Sequence, residues 1–423
     1  MINRSVPPAI KPISTVKFPE YKKITLDNGI PLFLIEGGSQ PVLKMEVVFT
    51  AGRPYEDAHL VARATARMLK EGTDSFSAAE IADKTDFYGS SISLPINLDN
   101  SSVVFYSLTK HLEKLLPLWT EILTLPIFPE QELSKIVKNN VERLKIDLSK
   151  NDVLAYRKIT ENLFGKGHPY GYNSFPVDYH NLNSKNLKTH FEQNYIAENC
   201  KIFLSGQPGA DCIELINKFI GTSIKKGNPK TPNFPKFKEI PSIETISNPG
   251  SPQTAIRVGR ILFPRTNPEY SSFFVLNTIL GGYFGSRLMT NLREDKGYTY
   301  NIYSSLDAMK KEGAFLIGAE LSHKHKDKAL AEIFVEIDRL RDEPVSNKEM
   351  EMVRSYLLGS FLNMVDGPFN VAEIVRTSEL ENLGPHYFDN LVKAVRESTP
   401  QSVQEMANKY LVKDALSVVT VGE

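Results

Sequence analysis

Cysteine is nearly absent from this 423-residue sequence, where Cys200 and Cys212 are the only two. Two thiols cannot build a disulfide-stapled fold or a cysteine-based metal centre. Cys200, in the apolar run 200–204, reads as a small buried hydrophobe. An excess of one charge is lacking too: Lys+Arg and Asp+Glu number 50 each, for a formal net charge of +0. That balance excludes a global electrostatic pull toward nucleic acid or an anionic membrane. Nowhere do about eighteen uncharged apolar residues run together, so no membrane-spanning helix is expected. Residues 1–8 hold no apolar stretch of signal-peptide length. A cytoplasmic protein with no nucleic-acid or membrane partner is expected, although a removed export signal would leave the same sequence.

What is present is a globular composition, 41% hydrophobic and 24% charged, enough for large cores. Residues 1–20 are proline-rich and expected to run extended. Residues 21–26 and 30–36 flank Asp27-Asn28-Gly29, a hairpin signal because Asn-Gly supplies the positive φ of a tight turn. Alternation over 42–50 predicts a strand. Asp57 is placed to cap a helix that reaches Glu71 and stops at Gly72, with Leu60, Ala64 and Met68 as its inner stripe. Ser77 would cap a second helix over 78–87. Strands are expected over 90–98 and 101–108, helices over 112–123, 130–150, 153–164 and 184–193, and a buried strand over 200–205. Pro229, Pro232, Pro235, Pro241, Pro249 and Pro252 crowd one short span and predict an extended linker there.

The second half then repeats the first. Pro41 and Pro252 each lead a strand, and the helices that follow end at Leu69 and Leu280, at the same interval (69 − 41 = 280 − 252 = 28). Glu132 and Glu349 each open a long helix, and Tyr195 and Tyr410 each precede a closing strand. A repeat of domain size, without strict strand–helix alternation, predicts an α+β fold of two homologous domains. Each would be a largely antiparallel sheet with helices packed on one face. The expected division is 1–221, a linker over 222–252, and 253–423.

Gly281-Gly282-Tyr283-Phe284-Gly285 follows a helix rather than a strand, so it is no dinucleotide fingerprint. No Gly-x-Ser-x-Gly nucleophile elbow occurs. Beyond it, Leu292-Arg293-Glu294-Asp295-Lys296-Gly297-Tyr298-Thr299-Tyr300 reads locally as a last helical turn, a stop, and a strand. Taken with the duplicated α+β halves, the helix ending Lys70-Glu71-Gly72-Thr73 and the turn His168-Pro169-Tyr170-Gly171, this stretch resembles the insulinase/pitrilysin family of zinc peptidases. The likeness is to its half-length, processing-peptidase-like members and covers essentially the whole chain.

In that family a first-half helix carries H-x-x-E-H. Two histidines one turn apart bind zinc, and the glutamate takes a proton from the zinc-bound water. The resemblance lays these positions on Arg63, Ala66 and Arg67. Arginine has no lone pair for a metal and is always charged, and alanine is no base. The zinc motif is therefore degenerate, and no metal or other cofactor is expected in this chain. His59 is the one histidine on that helix. Glu142, where a further carboxylate ligand would be sought, reads as a solvated helix residue, and His323-Lys324-His325 as a solvent-exposed turn.

The family's other contribution is an arginine and a tyrosine that contact substrate backbone and support the tetrahedral intermediate. They map to Arg293 and Tyr300, with Tyr298 as a nearby competitor. Fixed donors aimed at a developing charge act as an oxyanion hole. The resemblance thus implies the non-zinc-binding subunit of a heterodimeric metallopeptidase, inactive alone. Its partner would be a homologous subunit carrying the zinc motif and the zinc, and its substrate an unstructured peptide added as a strand to a sheet edge. The alternative is a structural or chaperone-like core-protein subunit with no role in cleavage.

Overall fold

The computed structural model describes residues 13, 15–238 and 240–422, and most of the opening segment expected to run extended lies outside them. The first half comprises β1 (Lys22–Thr25), β2 (Pro31–Glu36), β3 (Val42–Phe49), α1 (Val61–Met68), α2 (Ala78–Phe87), β4 (Ser91–Ser93), β5 (Ser101–Leu108), α3 (Leu112–Thr124), α4 (Glu130–Asp147), α5 (Asn151–Phe164), α6 (Pro176–His180), α7 (Ser184–Asn194), β6 (Cys200–Gly206) and α8 (Cys212–Phe219). The second comprises β7 (Ile243–Ser247), β8 (Thr254–Leu262), α9 (Tyr270–Asn277), β9 (Thr299–Ala308), β10 (Gly313–Leu321), α10 (Lys326–Asp342), α11 (Asn347–Met364), α12 (Pro368–Glu381), α13 (Tyr387–Glu397), α14 (Pro400–Tyr410) and β11 (Ser417–Gly422).

Two sheets result, ordered β1-β2-β6-β3-β5-β4 and β7-β11-β8-β10-β9. Each has one parallel pair, β2 with β6 and β7 with β11, and is otherwise antiparallel. The expected α+β class stands, and the duplication extends further than the sequence pattern reached. Leu32 pairs with Ile202 and Ile243 with Val418. Leu32 and Ile243 lie 211 apart, the same offset as Pro41 and Pro252 (243 − 32 = 252 − 41 = 211). The proline-rich span expected to be an extended linker therefore contains the second counterpart of β2. Its residues 243–247 are free of proline, so their N–H groups can join a ladder.

One helix boundary departs from expectation. Asp57 does not cap α1; it pairs with Lys230. The chain instead turns at Leu60 (φ 70°), and the helix begins at Val61. Its first turn is served by Glu56, whose Oε2 accepts from the Ala62 N–H at 3.0 Å while the Tyr172 hydroxyl donates to Oε1 at 2.5 Å. A carboxylate at a helix N-terminus satisfies an orphan N–H and favours the helix dipole.

Each sheet buries one face under its own helices. In the first, Met45, Val47, Phe49, Val103 and Phe105 pack with Leu115, Trp119 and Ile216. The opposite faces are covered by an exchange. Helix α12, from the second half, lays Val371, Ala372 and Val375 on Phe33, Ile35, Val48 and Phe203 of the first sheet. Helix α5, from the first half, lays Ala155, Ile159 and Leu163 on Ala255, Leu316, Val419 and Val421 of the second. α5 and α12 follow the corresponding long helices α4 and α11, so the exchange is reciprocal.

Charge is buried on both exchanged faces. On β3, Lys44 Nζ lies 3.4 Å from Glu46 Oε2 and also pairs with Glu373 of α12, while Arg376 of α12 lies 3.7 Å from Glu46. The position 211 beyond Glu46 is Arg257 (46 + 211), which is buried on β8 and pairs with Asp152 of α5. Gly318 makes room for it: a Cβ there would sit 2.5 Å from a guanidinium nitrogen of Arg257 and 2.8 Å from the Tyr303 ring. Among the described residues, no helix is long and apolar enough to cross a membrane.

Candidate functional site

The two sets of residues singled out by the sequence lie in different halves of the chain, one on α1 and the other at the start of β9. On α1, Arg63 is exposed, Ala66 is buried and Arg67 is half-buried. Arg67 borders a cleft of about 420 Å³ lined by Lys70, Glu71, Leu94, Ile136, Asn139, Asn140 and Arg143. Its guanidinium donates to Asn140 Oδ1 at 2.8 Å. Burial, and then the nearby Arg63 charge, hold the Arg67 pKa below the ordinary guanidinium value. The residue that α4 turns toward α1 is therefore Asn140. Glu142 is exposed and paired with Lys145 at 2.7 Å. Two cations and a methyl group stand where a zinc site would need two imidazoles and a base, so these side chains do not fit a divalent metal. Among the described residues, no cluster of three His, Cys, Asp or Glu side chains is arranged to hold one.

The other histidines named in the sequence have local structural partners. His59 stacks on Tyr172 at 4.0 Å and lies 3.4 Å from Asp178. His323, expected in a solvent-exposed turn, bonds through Nδ1 to Thr254 Oγ1 at 2.7 Å and through Nε2 to the Ser251 carbonyl at 2.8 Å. These bonds tie the start of α10 to the start of β8, which is why the turn is only half exposed.

Arg293 and Tyr300 are brought together. Residues Met289–Asp295 form a π-helical segment, closed by the Lys296 N–H donating to the Asn291 carbonyl at 3.1 Å. A preceding segment, Thr278–Gly282, is π-helical as well. Such widened turns are rare and are found disproportionately at functional sites. Gly297, at φ +61°, reverses the chain into β9, a conformation glycine adopts without steric cost. Tyr298 then turns inward to stack on His325 at 4.6 Å, whereas Tyr300 points out, 84% exposed.

The Arg293 guanidinium carbon lies 5.1 Å from the Tyr300 ring centroid and 4.5 Å from that of Phe284, which is 59% exposed. The cation is thus sandwiched between two rings that face solvent, and no carboxylate pairs with it among the described residues. Cation–π contact holds the planar group in place while its N–H edge stays open. β9 is an edge strand, and this stack stands at its start. Phe284 was not legible as part of the site; an aromatic residue exposed between Gly282 and Gly285 is the only signal for it.

Residues 181–357 match the family model described as the peptidase M16 inactive domain. A relative from Bacillus subtilis, "Uncharacterized zinc protease YmxG", is 21% identical over 94% of this chain and 98% of its own length. A Helicobacter pylori relative, "Non-peptidase homolog YmxG", is 21% identical over 78% of this chain and 77% of its own. The crystal structure of a peptidase M16 inactive domain from Pseudomonas fluorescens superposes with a TM-score of 0.88 at 24% identity, covering 96% of this chain and 98% of that one. A Helicobacter pylori protease gives the same TM-score at 16% identity, over 96% and 100%. Residues 181–357 are thus similar to the peptidase M16 inactive domain, and the chain from end to end has the fold of the M16 structures it superposes on.

Proposed function

We propose that the chain is a subunit of a two-chain peptidase and contributes substrate-binding groups rather than the metal. The observation that carries the reading is the exposed Phe284–Arg293–Tyr300 stack at the start of the edge strand β9. Arg293 and Tyr300 are the positions at which the family resemblance puts substrate contact. An extended peptide adding to β9 would pair its backbone with the strand and meet the guanidinium and the phenol side by side. Both are donors, suited to a carbonyl oxygen that gains negative charge as its carbon becomes tetrahedral. Arg63, Ala66 and Arg67 supply neither metal ligand nor base, so in this reading zinc resides in a homologous partner subunit that carries the intact motif.

The test is to mix the chain with a zinc-motif homologue and follow cleavage of an unstructured peptide. Cleavage is expected only with both chains. Arg293→Ala is expected to lower kcat by about 10²–10³, the usual cost of removing one such donor, and Tyr300→Phe to lower it in the same direction. Cleavage by the partner alone at an equal rate, or indifference to both substitutions, would sink the reading. The chain would then be a structural or chaperone-like subunit, the role favoured by the "non-peptidase" name of the Helicobacter pylori relative.

A further inference from the structure

The cleft beside α1 is lined by cations and amides rather than by metal ligands. Four cations surround it. Arg67, Lys70 and Arg143 line it, and Arg63 lies close enough to depress the Arg67 pKa, as does Arg143. Among the described residues, Arg63, Arg67 and Lys70 meet no carboxylate within ion-pair distance, and Arg143 meets only Asp147 of its own helix, at 3.8 Å. Arg67 is held by a neutral group instead, the Asn140 amide oxygen, which leaves its charge uncompensated and the rest of its donor fork free. Asn139 adds a second amide to the wall.

Two further features narrow the ligand. Leu94 and Ile136 give the cleft an apolar floor next to the charges, which suits an anion carrying an apolar group. Glu71 also lines it. A neighbouring carboxylate repels a compact dianion more than a monoanion, which disfavours phosphate. Arginine, with lysine in support, suits a bidentate carboxylate.

We propose that the cleft between α1 and α4 is a carboxylate site that takes the free C-terminus of a peptide, with the terminal carboxylate on Arg67 and Lys70 and an apolar last side chain over Leu94 and Ile136. The inference goes beyond the peptidase reading and does not depend on Arg293 or Tyr300.

The test uses the chain alone and two short fluorescent peptides ending in leucine, identical except that one has a free carboxylate and the other a C-terminal amide. The carboxylate form is expected to bind about tenfold or more tightly, as a charge-assisted bidentate contact requires, with affinity falling as salt rises. Arg67→Gln and, separately, Lys70→Gln are expected to remove most of that preference. Binding is read on the chain alone, whereas the peptidase reading is read on cleavage by the two chains together, so the two fail by different results. Equal binding of acid and amide, retention of the preference in both variants, or displacement of the acid peptide by inorganic phosphate at equal concentration would each overturn the proposal.

Discussion

The reciprocal exchange of α5 and α12 predicts that a small change in the second half will destabilise the first. Val375, on α12, is 1% exposed and packs against Phe33, Ile35, Val48 and Phe203 of the first sheet. Val375→Ala removes two methyl groups. Transfer alone costs about 1.6 kcal/mol at roughly 0.8 kcal/mol per carbon, and the cavity left between a helix and a flat sheet brings the total to about 2–3 kcal/mol. The first half contains its own reporter. Trp119, the only tryptophan, is fully buried against Phe105, ring centroids 4.4 Å apart. Urea unfolding followed by Trp119 fluorescence and, in parallel, by far-ultraviolet circular dichroism should show both transitions shifted by the same free energy, with unchanged slope. The valine is in one half and the probe in the other, so a common shift requires that the halves unfold as one unit. If the dichroism transition moves or splits while the Trp119 midpoint stays at its wild-type urea concentration, the exchanged helices are not what couples the halves.

Three other outcomes follow from the geometry. His190 is buried, with Nε2 3.1 Å from the Ala51 carbonyl and Nδ1 3.2 Å from the Asn194 amide nitrogen, an arrangement that needs the neutral ring. Burial lowers its pKa from 6.5 to about 4. A depressed value contributes stability that is complete above pH 6.5 and is lost as pH falls toward 4; the shift corresponds to about 3 kcal/mol. His190→Gln can keep both hydrogen bonds and should lack that part of the slope, so identical pH profiles for the two proteins would count against it. Gly318→Ala should cost about 1–3 kcal/mol by overpacking Arg257 and Tyr303, and a thermal melt that matches wild type would contradict the fit described for that face. Finally, the purified chain should take up no stoichiometric zinc and show no change in melting temperature with a chelator; zinc lost on Arg67→Gln would show that the cleft binds metal after all.

The sequence by itself determined the α+β class, the duplication and the local elements. These rest on near-neighbour physics: alternation sets a strand, Asn28-Gly29 sets a hairpin, and Ser77 with Glu80 sets a capping box whose two bonds are both made. It also determined what Arg63 and Ala66 cannot do, because a guanidinium lacks a lone pair wherever it sits. It misjudged elements whose partners are remote. α1 starts late because Glu56 and Tyr172, 116 residues apart, supply its cap. Residues 243–247 form a strand only because β11 lies alongside.

Tertiary structure alone decided how the candidate sites are built. Tyr298 and Tyr300 differ little as residues, but His325 draws one inward and the reversal at Gly297 leaves the other beside Arg293. Phe284 joins that stack across a π-helical turn that no periodicity announces. Asn140 rather than Glu142 faces Arg67, since a shift of two positions on a helix is a rotation of more than half a turn. The exchange of α5 and α12 was equally invisible, because a helix's apolar stripe records that a face is buried but not which sheet buries it.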